Sequence, residues 1–379
     1  MSHIIIDGIK CEFENARNVL EVALNNGIDI PNLCYCESLT TYGGCRLCVV
    51  ENERGGIEAA CTMVPKDGAV VRTNTAQLRE FRQGILKLLL EGHRTVGNGS
   101  VVTDQLPSAG QEVPGHSEIV LYMGEEKVTE KTTVPNFIGY GVADVKPIDY
   151  CREPVDDSSP AVVIDPSKCI LCGKCTRTCL QLQNVNAIDF INRGNETVLS
   201  CGIGYKLADT NCTSCGQCAA MCPTGALTIK SDAARVWDAI NDPTKKVAVQ
   251  IAPTVKLGVI EAFGLPATAQ VMGKMVTALR LMGADYVFDA SMSAYQTVLE
   301  EADDFKTRKK GGTVLSSYCP AWVKHVECDH PELKDRLSAA GSPMQICGTL
   351  IRRKYPDDDL VSVAVMSCAA AKAEALRDE

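Results

Sequence analysis

The chain has 379 residues, of which 45% are hydrophobic and only 5% aromatic, which predicts several globular domains with modest cores rather than a disordered protein. Its formal net charge of −9 disfavours nucleic acid as a partner. No signal segment and no apolar run of bilayer length is visible, so we expect a cytoplasmic protein that binds no membrane. In that reducing setting, twenty cysteines favour metal-binding thiolates over disulfides.

The N-terminal segment predicts a hairpin followed by a helix. Apolar residues from Ile4 to Ile6 and from Ile9 to Phe13 flank Asp7-Gly8, a dipeptide typical of two-residue hairpin turns. Apolar residues then recur with helical spacing from Val19 to Leu24.

The next segment contains four cysteines with the spacing C-x10-C-x2-C-x12-C, and Gly43 and Gly44 give its backbone room to wrap around a cluster. The pattern predicts a [2Fe–2S] site, with a structural zinc site as the weaker alternative. Its ligands would be Cys34, Cys45, Cys48 and Cys61. Cys11 and Cys36 fit neither pattern, and we interpret them as ordinary small side chains.

The sequence around these ligands resembles the β-grasp ferredoxin module of respiratory NADH dehydrogenase large subunits and of multi-domain hydrogenases. The segments that carry the resemblance are P-N-L-C-Y, G-G-C-R-L-C-V-V-E and A-C-T. In those families a leucine-rich helix, here Phe81 to Leu90, is usually followed by a His and three cysteines that hold a further cubane. No cysteine occurs from Thr62 to Tyr150, so His93 stands alone and that cluster is not expected. Gly, Pro, Ser and Thr are frequent from Arg94 to Pro160, which indicates a linker with irregular loops and a few strands.

Two cysteine runs follow, C-I-L-C-G-K-C-T-R-T-C from Cys169 and C-T-S-C-G-Q-C-A-A-M-C-P from Cys212. Both have the C-x2-C-x2-C-x3-C spacing of bacterial ferredoxins, in which the fourth cysteine of each run ligates the other cluster. Complete runs of this kind, with Pro223 after the last cysteine, favour iron–sulfur clusters over zinc or disulfides. The first [4Fe–4S] cluster would take Cys169, Cys172, Cys175 and Cys222, and the second would take Cys212, Cys215, Cys218 and Cys179.

Beyond Ser231 the pattern changes to alternating helices and strands, with apolar strands at Val247 to Ala252 and Tyr286 to Asp289, which indicates an α/β domain. Several segments resemble the catalytic domain of iron-only (FeFe) hydrogenases, among them V-A-V-Q-I-A-P-T-V-K, M-G-A-D-Y-V-F-D-A, L-S-S-Y-C-P-A-W and V-M-S-C-A-A-A-K.

The resemblance also implies that this domain is degenerate. In the family, the first of two adjacent cysteines transfers protons and the second ligates a cubane; here these positions hold Tyr318 and Cys319. A second family motif supplies a cubane cysteine and a lysine; here it holds Cys368 and Ala371, with Ser367 in place of a proline.

The third motif would lie beyond the last residue, so we expect a truncated domain with no complete H-cluster and no catalytic residue. A residual cluster on the four cysteines of this domain is the less favoured alternative to ordinary small side chains. Those cysteines are Cys319, Cys328, Cys347 and Cys368. Lys372 and Glu374 are expected on a solvated helix face.

The predicted architecture is therefore a multidomain α+β and α/β protein. Its domains would be a β-grasp [2Fe–2S] domain (1–78), a helix plus irregular region (79–158), a two-[4Fe–4S] ferredoxin-like domain (159–230) and a truncated hydrogenase-like domain (231–379).

The whole pattern is most similar to the iron–sulfur subunit of cytosolic NAD-linked, electron-bifurcating hydrogenases. This resemblance implies a non-catalytic electron-transfer subunit of an oxidoreductase complex. Its partners would be a flavin subunit that binds FMN and NAD, a thioredoxin-like [2Fe–2S] subunit, soluble ferredoxin, and a separate catalytic subunit pair of the nickel–iron type. The chain itself has no G-x-G-x-x-G or Walker-type loop. The alternatives are an electron-transfer subunit of an NAD-linked molybdenum or tungsten formate dehydrogenase, and a hydrogenase-like sensor or iron–sulfur assembly protein.

Overall fold

The computed structural model describes residues 2–91, 101–106, 120–124, 154–194, 197–266, 268–308, 313–356 and 359–377. The chain divides into two compact units, each assembled from several segments. The first unit comprises residues 1–156, 164–206 and 217–228, and the second comprises residues 157–163, 207–216 and 229–379.

The first unit begins with a five-stranded mixed sheet in the order β2-β1-β5-β3-β4. Its strands are β1 (Ser2–Ile6), β2 (Ile9–Phe13), β3 (Val49–Asn52), β4 (Ile57–Ala59) and β5 (Val70–Arg72). β1 and β5 are parallel, whereas β1–β2, β3–β4 and β3–β5 are antiparallel pairs. The helix α1 (Val19–Asn25) packs against this sheet through Val19, Leu20 and Ala23, which belong to one buried apolar cluster with Ile4 and Ile6.

Local chemistry fixes the ends of these elements. Asp7 and Gly8 both have positive φ, 50° and 84°, as the predicted two-residue hairpin requires. The carboxylate of Asp7 accepts a hydrogen bond from the Thr73 amide at 2.8 Å, which ties this turn to the residue after β5. Helix α1 starts at the N-cap Asn18, whose side chain accepts from the Glu21 amide at 2.9 Å. The predicted hairpin and helix are therefore confirmed.

Further elements follow in chain order, before, within and after the two cysteine runs. They are α2 (Ala76–Glu91), the antiparallel strands β6 (Val101–Leu106) and β7 (Val120–Gly124), β8 (Val162–Ile164), α3 (Lys174–Arg177), a π-helical turn (Thr178–Leu182), the hairpin β9 (Asp189–Ile191) and β10 (Val198–Ser200), α4 (Gln217–Ala220) and β11 (Leu227–Ile229). Within the described ranges, 3-10 helices also occur at Pro166–Lys168, Leu207–Asp209 and Pro331–Arg336.

The second unit contains a three-stranded parallel sheet in the order β13-β12-β14. Its strands are β12 (Lys246–Ile251), β13 (Tyr286–Asp289) and β14 (Leu360–Val365). All residues of β12 after Lys246 are buried, as expected for a central strand covered on both faces. The predicted α/β alternation is thus confirmed.

Seven helices in the described ranges accompany this sheet: α5 (Ala233–Asn241), α6 (Val255–Ala262), α7 (Met272–Leu281), α8 (Ser291–Arg308), α9 (Pro320–Asp329), α10 (Pro343–Lys354) and α11 (Ala371–Glu374). Pro320 and Pro343 occupy the first turns of α9 and α10, where the missing amide costs nothing. No helix in the described part of the chain has the length and apolar character needed to cross a bilayer.

Candidate metal centres

The four cysteines of the N-terminal loop converge below the surface. Cys34 is 2% exposed, Cys45 7%, Cys48 1% and Cys61 1%. Cys48 and Cys61 flank β3 and β4, and the Ala60 amide donates to the Cys48 carbonyl at 2.8 Å, which brings the two distant halves of the loop together. The loop gains its tight curvature from positive φ angles at Gly43 (68°) and Arg46 (54°).

The thiols interact in two pairs, Cys34 with Cys45 and Cys48 with Cys61. A hydrogen bond from Cys34 lowers the pKa of Cys45 to about 5, and a hydrogen bond from Cys61 lowers the pKa of Cys48 to about 7. The hydrogen bonds to the partner thiols and burial raise the pKa of Cys34 and of Cys61. The Cys45 amide also donates to Cys34 Sγ at 3.4 Å. Because metal ligation requires deprotonated thiols, this site has one readily ionised thiol in each pair.

Arg82 of α2 donates hydrogen bonds to the backbone on both sides of Cys48. Its Nε donates to the Leu47 carbonyl at 3.0 Å and its Nη2 donates to the Val49 carbonyl at 2.7 Å, so both residues next to Cys48 are fixed by one guanidinium. Burial lowers the pKa of Arg82, and the nearby Cys48 thiolate opposes that change. No motif in the sequence indicates this role, since Arg82 lies on a helix that carries no predicted ligand.

The first predicted cubane site lies in the first unit with all four of its cysteines. Leu171 and Gly173 have positive φ, 53° and 65°, and the Leu171 amide donates to Cys169 Sγ at 3.4 Å. Burial raises the pKa of Cys175, with further increases from the nearby charges of Cys169, Cys172 and Cys222. The charge of Cys218, a predicted ligand of the second cluster, also raises the pKa of Cys175, so the assignment of these four thiols to one cluster stays a prediction.

The second cysteine run repeats the local geometry of the first. Ser214 and Gly216 have positive φ, 58° and 74°, and the Ser214 amide donates to Cys212 Sγ at 3.4 Å. Of the predicted ligands of this cluster, Cys212 and Cys215 lie in the second unit, whereas Cys179 and Cys218 lie in the first. Cys179 Sγ also accepts from the Ala187 amide, at 3.3 Å.

This donor set fits iron–sulfur clusters. The thiols lie in loops whose backbone amides point at sulfur, and such hydrogen bonds accompany protein-bound clusters. Every described cysteine is free of disulfide bonds. Within the ranges that the structure describes, no group of three or more His, Cys, Asp or Glu side chains is arranged to hold a single metal ion.

The [2Fe–2S] loop and the first cubane loop share a packed apolar cluster. It comprises Cys34, Cys45, Leu47 and Cys172, with Leu33, Ile85 and Ile170 packed against it. Ligands predicted for two different clusters are thus neighbours within the first unit. His93, which we predicted to lack a cluster, lies outside the described residues, as does most of the predicted linker.

The family motifs of the C-terminal segment lie at the carboxyl edge of the parallel sheet and on adjacent helices. Cys319 caps α9 and Tyr318 is 53% exposed beside it, while Ser367 follows β14 and its hydroxyl lies 2.8 Å from that of Thr254, which follows β12. Helices α9 and α11 contact each other, so the two motif segments lie in one region. Cys319, Cys328 and Cys368 are exposed, and only Cys347 is buried, in contact with Ala248 and Ile351.

One expectation for this segment is wrong. Lys372 and Glu374 were predicted on a solvated helix face, but Glu374 is buried and Lys372 pairs with Asp232. The short helix α11 lies against α9, and Arg377 Nη2 pairs with Glu327 Oε1 at 2.5 Å. Tertiary packing therefore buries part of a helix that its composition alone predicts to be solvent-exposed.

Comparison with known protein families gives three matches along the chain. The family described as 2Fe-2S iron-sulfur cluster binding domain matches residues 1–76, the 4Fe-4S dicluster domain matches residues 155–226, and the C-terminal domain of the iron only hydrogenase large subunit matches residues 245–379.

Similar curated proteins include the NADP-reducing hydrogenase subunit HndD of Solidesulfovibrio fructosivorans, 34% identical, and iron hydrogenase 1 of Clostridium pasteurianum, 32% identical. Both alignments cover 100% of this chain, but the chain spans only 64% of the length of each relative. The alpha subunit of an NADPH-Fe(3+) oxidoreductase of Geobacter sulfurreducens is 32% identical over 61% of this chain and 24% of that protein. Among solved structures, an NAD+-reducing [NiFe]-hydrogenase in the H2-reduced state aligns with 61% of this chain and 88% of its own, at 27% identity and a TM-score of 0.45.

Proposed function

Because this chain is an iron–sulfur protein that resembles iron-only hydrogenase large subunits, we propose that it transfers electrons within an NAD- and ferredoxin-linked, electron-bifurcating hydrogenase complex without activating hydrogen itself. The observation that carries the electron-transfer role is the shared apolar cluster of Cys34, Cys45 and Cys172. Ligands of two redox centres that pack together give electrons a short protein path between them.

The proposed cofactors are one [2Fe–2S] cluster and two [4Fe–4S] clusters on the cysteines assigned above. When bound, the clusters would supply one-electron transfer at potentials set by hydrogen bonds to sulfur, burial and local charge. The chain's contribution is to ionise and position the thiols, to direct amides at Sγ, and to keep water from Cys48 and Cys61. The crossed assignment, in which Cys179 and Cys222 exchange clusters, remains a proposal based on the spacing of the runs.

The mixed sheet order and the helix on its face support the β-grasp name for the N-terminal module. The repeated turn geometry at Leu171 and Ser214 supports a bacterial two-cluster ferredoxin module. The boundaries proposed for the four domains are those predicted from the sequence.

The proposal that the C-terminal domain is non-catalytic depends on two internal positions. Tyr318 has a phenol hydroxyl where the family uses a thiol, and the methyl group of Ala371 has no ammonium to donate. We therefore place hydrogen chemistry on separate subunits of the nickel–iron type. FMN and NAD would be on a flavin subunit, with a thioredoxin-like [2Fe–2S] subunit and soluble ferredoxin as further partners. We propose a reducing, cytoplasmic location, because twenty cysteines suit metal-binding thiolates in such a compartment.

Metal analysis of the native complex, isolated through a tag on this chain, tests the proposal. One [2Fe–2S] and two [4Fe–4S] clusters predict about ten irons for this chain. Iron should be quantified on the isolated chain, and nickel, molybdenum and tungsten on the complex. Stoichiometric nickel is the expected result. Molybdenum or tungsten without nickel would assign the chain to a formate dehydrogenase, and iron alone would favour the sensor or assembly alternatives.

A further inference from the structure

The ring of Tyr42 lies between two ligand loops. A methyl group at Gly44, next to Cys45, would lie 2.3 Å from Tyr42 Cε1, and one at Gly173, next to Cys172, would lie 3.2 Å from Tyr42 Cζ. The ring thus packs closely against both glycines, and Gly173 also has a positive φ of 65°. Burial raises the pKa of Tyr42, the charge of Arg177 opposes that increase, and the charges of Cys34 and Cys172 add to it, so the ring lies near Arg177 and near ligands of both proposed clusters.

Arg177 joins the same two loops by hydrogen bonds. Its Nη2 donates to the Cys34 carbonyl at 2.8 Å, its Nε donates to the Gly173 carbonyl at 2.9 Å, and its Nη1 donates to the Thr40 carbonyl. The guanidinium carbon lies 5.0 Å from the centre of the Tyr42 ring, within the range of a cation–π contact. One side chain thus contacts the backbone of a [2Fe–2S] ligand and the backbone next to a cubane ligand.

Gln181, one helical turn after Arg177, makes two further hydrogen bonds to Thr40. Its Oε1 accepts from the Thr40 amide at 3.1 Å and its Nε2 donates to Thr40 Oγ1 at 2.8 Å. Thr40 is therefore held by Arg177, within the first cysteine run, and by Gln181, just after it.

The charge of Arg177 is also significant. The side chain is buried, with the whole residue 9% exposed, and its three acceptors are neutral carbonyls. A buried guanidinium is stabilised by dipoles and by nearby negative charge, and ligating thiolates provide such charge. Reduction adds an electron to a cluster, so a cation beside it favours the reduced form.

We propose that Arg177, together with Tyr42, is a positioning residue that fixes the [2Fe–2S] loop against the first cubane loop and raises the reduction potentials of both clusters. This inference rests on the proposed function, because it requires that both clusters bind. It goes beyond ligand assignment, since neither residue is a ligand: Tyr42 lies between Cys34 and Cys45, and Arg177 occupies a spacer position of the first cysteine run.

Arg82 provides a matched comparison. It also donates two hydrogen bonds to backbone carbonyls of the [2Fe–2S] loop, at Leu47 and Val49, but its partners lie in that loop alone. Loss of Arg82 should therefore change the [2Fe–2S] cluster, whereas loss of Arg177 should change both clusters and their interaction.

The test uses the full chain with its clusters in place, as wild type, Arg177→Met, Arg177→Lys and Arg82→Met. Iron content is measured first, and each cluster is then titrated with electron paramagnetic resonance detection. The magnetic interaction between the [2Fe–2S] and cubane signals is read from the fully reduced samples. For Arg177→Met we expect both potentials to fall, with a roughly tenfold lower ratio of reduced to oxidised cluster at fixed potential, equivalent to about 59 mV for one electron. The interaction between the signals should also weaken.

Arg177→Lys keeps the charge but loses the planar set of donors, so its potentials should stay closer to wild type while the interaction weakens. Arg82→Met should move the [2Fe–2S] potential alone. Unchanged potentials and interaction in Arg177→Met, or equal shifts of both clusters in Arg82→Met, would overturn the inference. If Arg177→Met does not retain iron, Arg177→Lys decides, because an interaction equal to wild type excludes the positioning role. Absence of [2Fe–2S] and [4Fe–4S] signals from the wild-type chain would instead refute the proposed function.

Discussion

The four cysteines of the N-terminal loop are all buried and paired with one another, whereas three of the four cysteines in the hydrogenase-like segment are exposed. In the buried set, the Cys45 amide donates to Cys34 Sγ, and Arg82 of α2 donates to the backbone carbonyl of Leu47. In the hydrogenase-like segment, Cys347 packs as an apolar residue against Ala248 and Ile351. The difference shows that cysteine content alone does not define a metal site; convergence, burial and directed amides do.

The largest effect is expected from the thiols of the cubane sites. Cys172→Ser should abolish hydrogen-dependent reduction of NAD or ferredoxin by the complex, because serine is a poor ligand for a cluster through which the electrons must pass. Dye-linked hydrogen oxidation at the separate catalytic subunit should remain. Cys201→Ser, which changes a half-buried cysteine outside the assigned ligand sets, is the control. Loss of both activities in Cys172→Ser would argue against an electron-transfer role.

The next test compares two cysteines of the N-terminal loop. Cys34→Ser should remove the [2Fe–2S] signal and about two irons per chain, since a ligand that is 2% exposed is lost. Cys36→Ser should retain both, because Cys36 is only half-buried and pairs with the Ser38 hydroxyl at 3.2 Å. Iron analysis and electron paramagnetic resonance of the isolated chain make the measurement. Equal loss of the [2Fe–2S] signal and of iron in both variants would contradict the assignment of Cys34 as a ligand and of Cys36 as a non-ligand.

Core packing offers a third comparison between the regions. Leu20 is 0% exposed beneath the N-terminal sheet, so Leu20→Ala should destabilise that module by about 2–5 kcal/mol through lost burial and a cavity. Leu281 is 84% exposed on α7, and Leu281→Ala should change stability by less than about 0.5 kcal/mol. Urea unfolding followed by circular dichroism would show the difference. A large effect at Leu281 would mean that another surface covers α7.

The smallest effect concerns the ion pair of Lys372 with Asp232 in the second unit. The hydrogen bond from Lys372 lowers the pKa of Asp232, so the pair's stabilisation is present above the ordinary aspartate pKa of about 3.9 and is lost as pH falls through the lowered value. Because both side chains are partly exposed, we expect at most about 1 kcal/mol. Thermal unfolding of wild type and Asp232→Asn should be compared between pH 2 and 6, a range of about two units on either side of that ordinary value. The melting temperatures of the two proteins should converge at the low-pH end of this range. A constant difference across that range would contradict this assignment.

Local patterns in the sequence were sufficient to predict several secondary-structure elements. The Asp7-Gly8 turn, the helix after Asn18 and the buried strand β12 all follow from short-range signals, whereas the assignment of cysteines to clusters stays a prediction. These features depend on residues close together in the chain.

Contacts between distant residues could not be predicted in the same way. Arg177 binds the carbonyl of a residue 143 positions earlier, and Arg82 binds one 35 positions earlier. Nothing in the spacing of either arginine indicates these partners, and the burial of Glu374 likewise results from packing of α11 against α9. Side chains that support a site from another element become visible only once the fold is known.

The most direct test of the central claim is whether hydrogen reduces the clusters of the isolated chain. Samples of the chain and of the whole complex would be exposed to hydrogen and examined by electron paramagnetic resonance, with dithionite as the control for reducible clusters. We predict reduction by hydrogen in the complex, and only by dithionite in the isolated chain. Reduction of the isolated chain by hydrogen, accompanied by infrared bands of iron-bound carbon monoxide and cyanide, would show that its C-terminal domain holds a working hydrogen centre and would contradict the account.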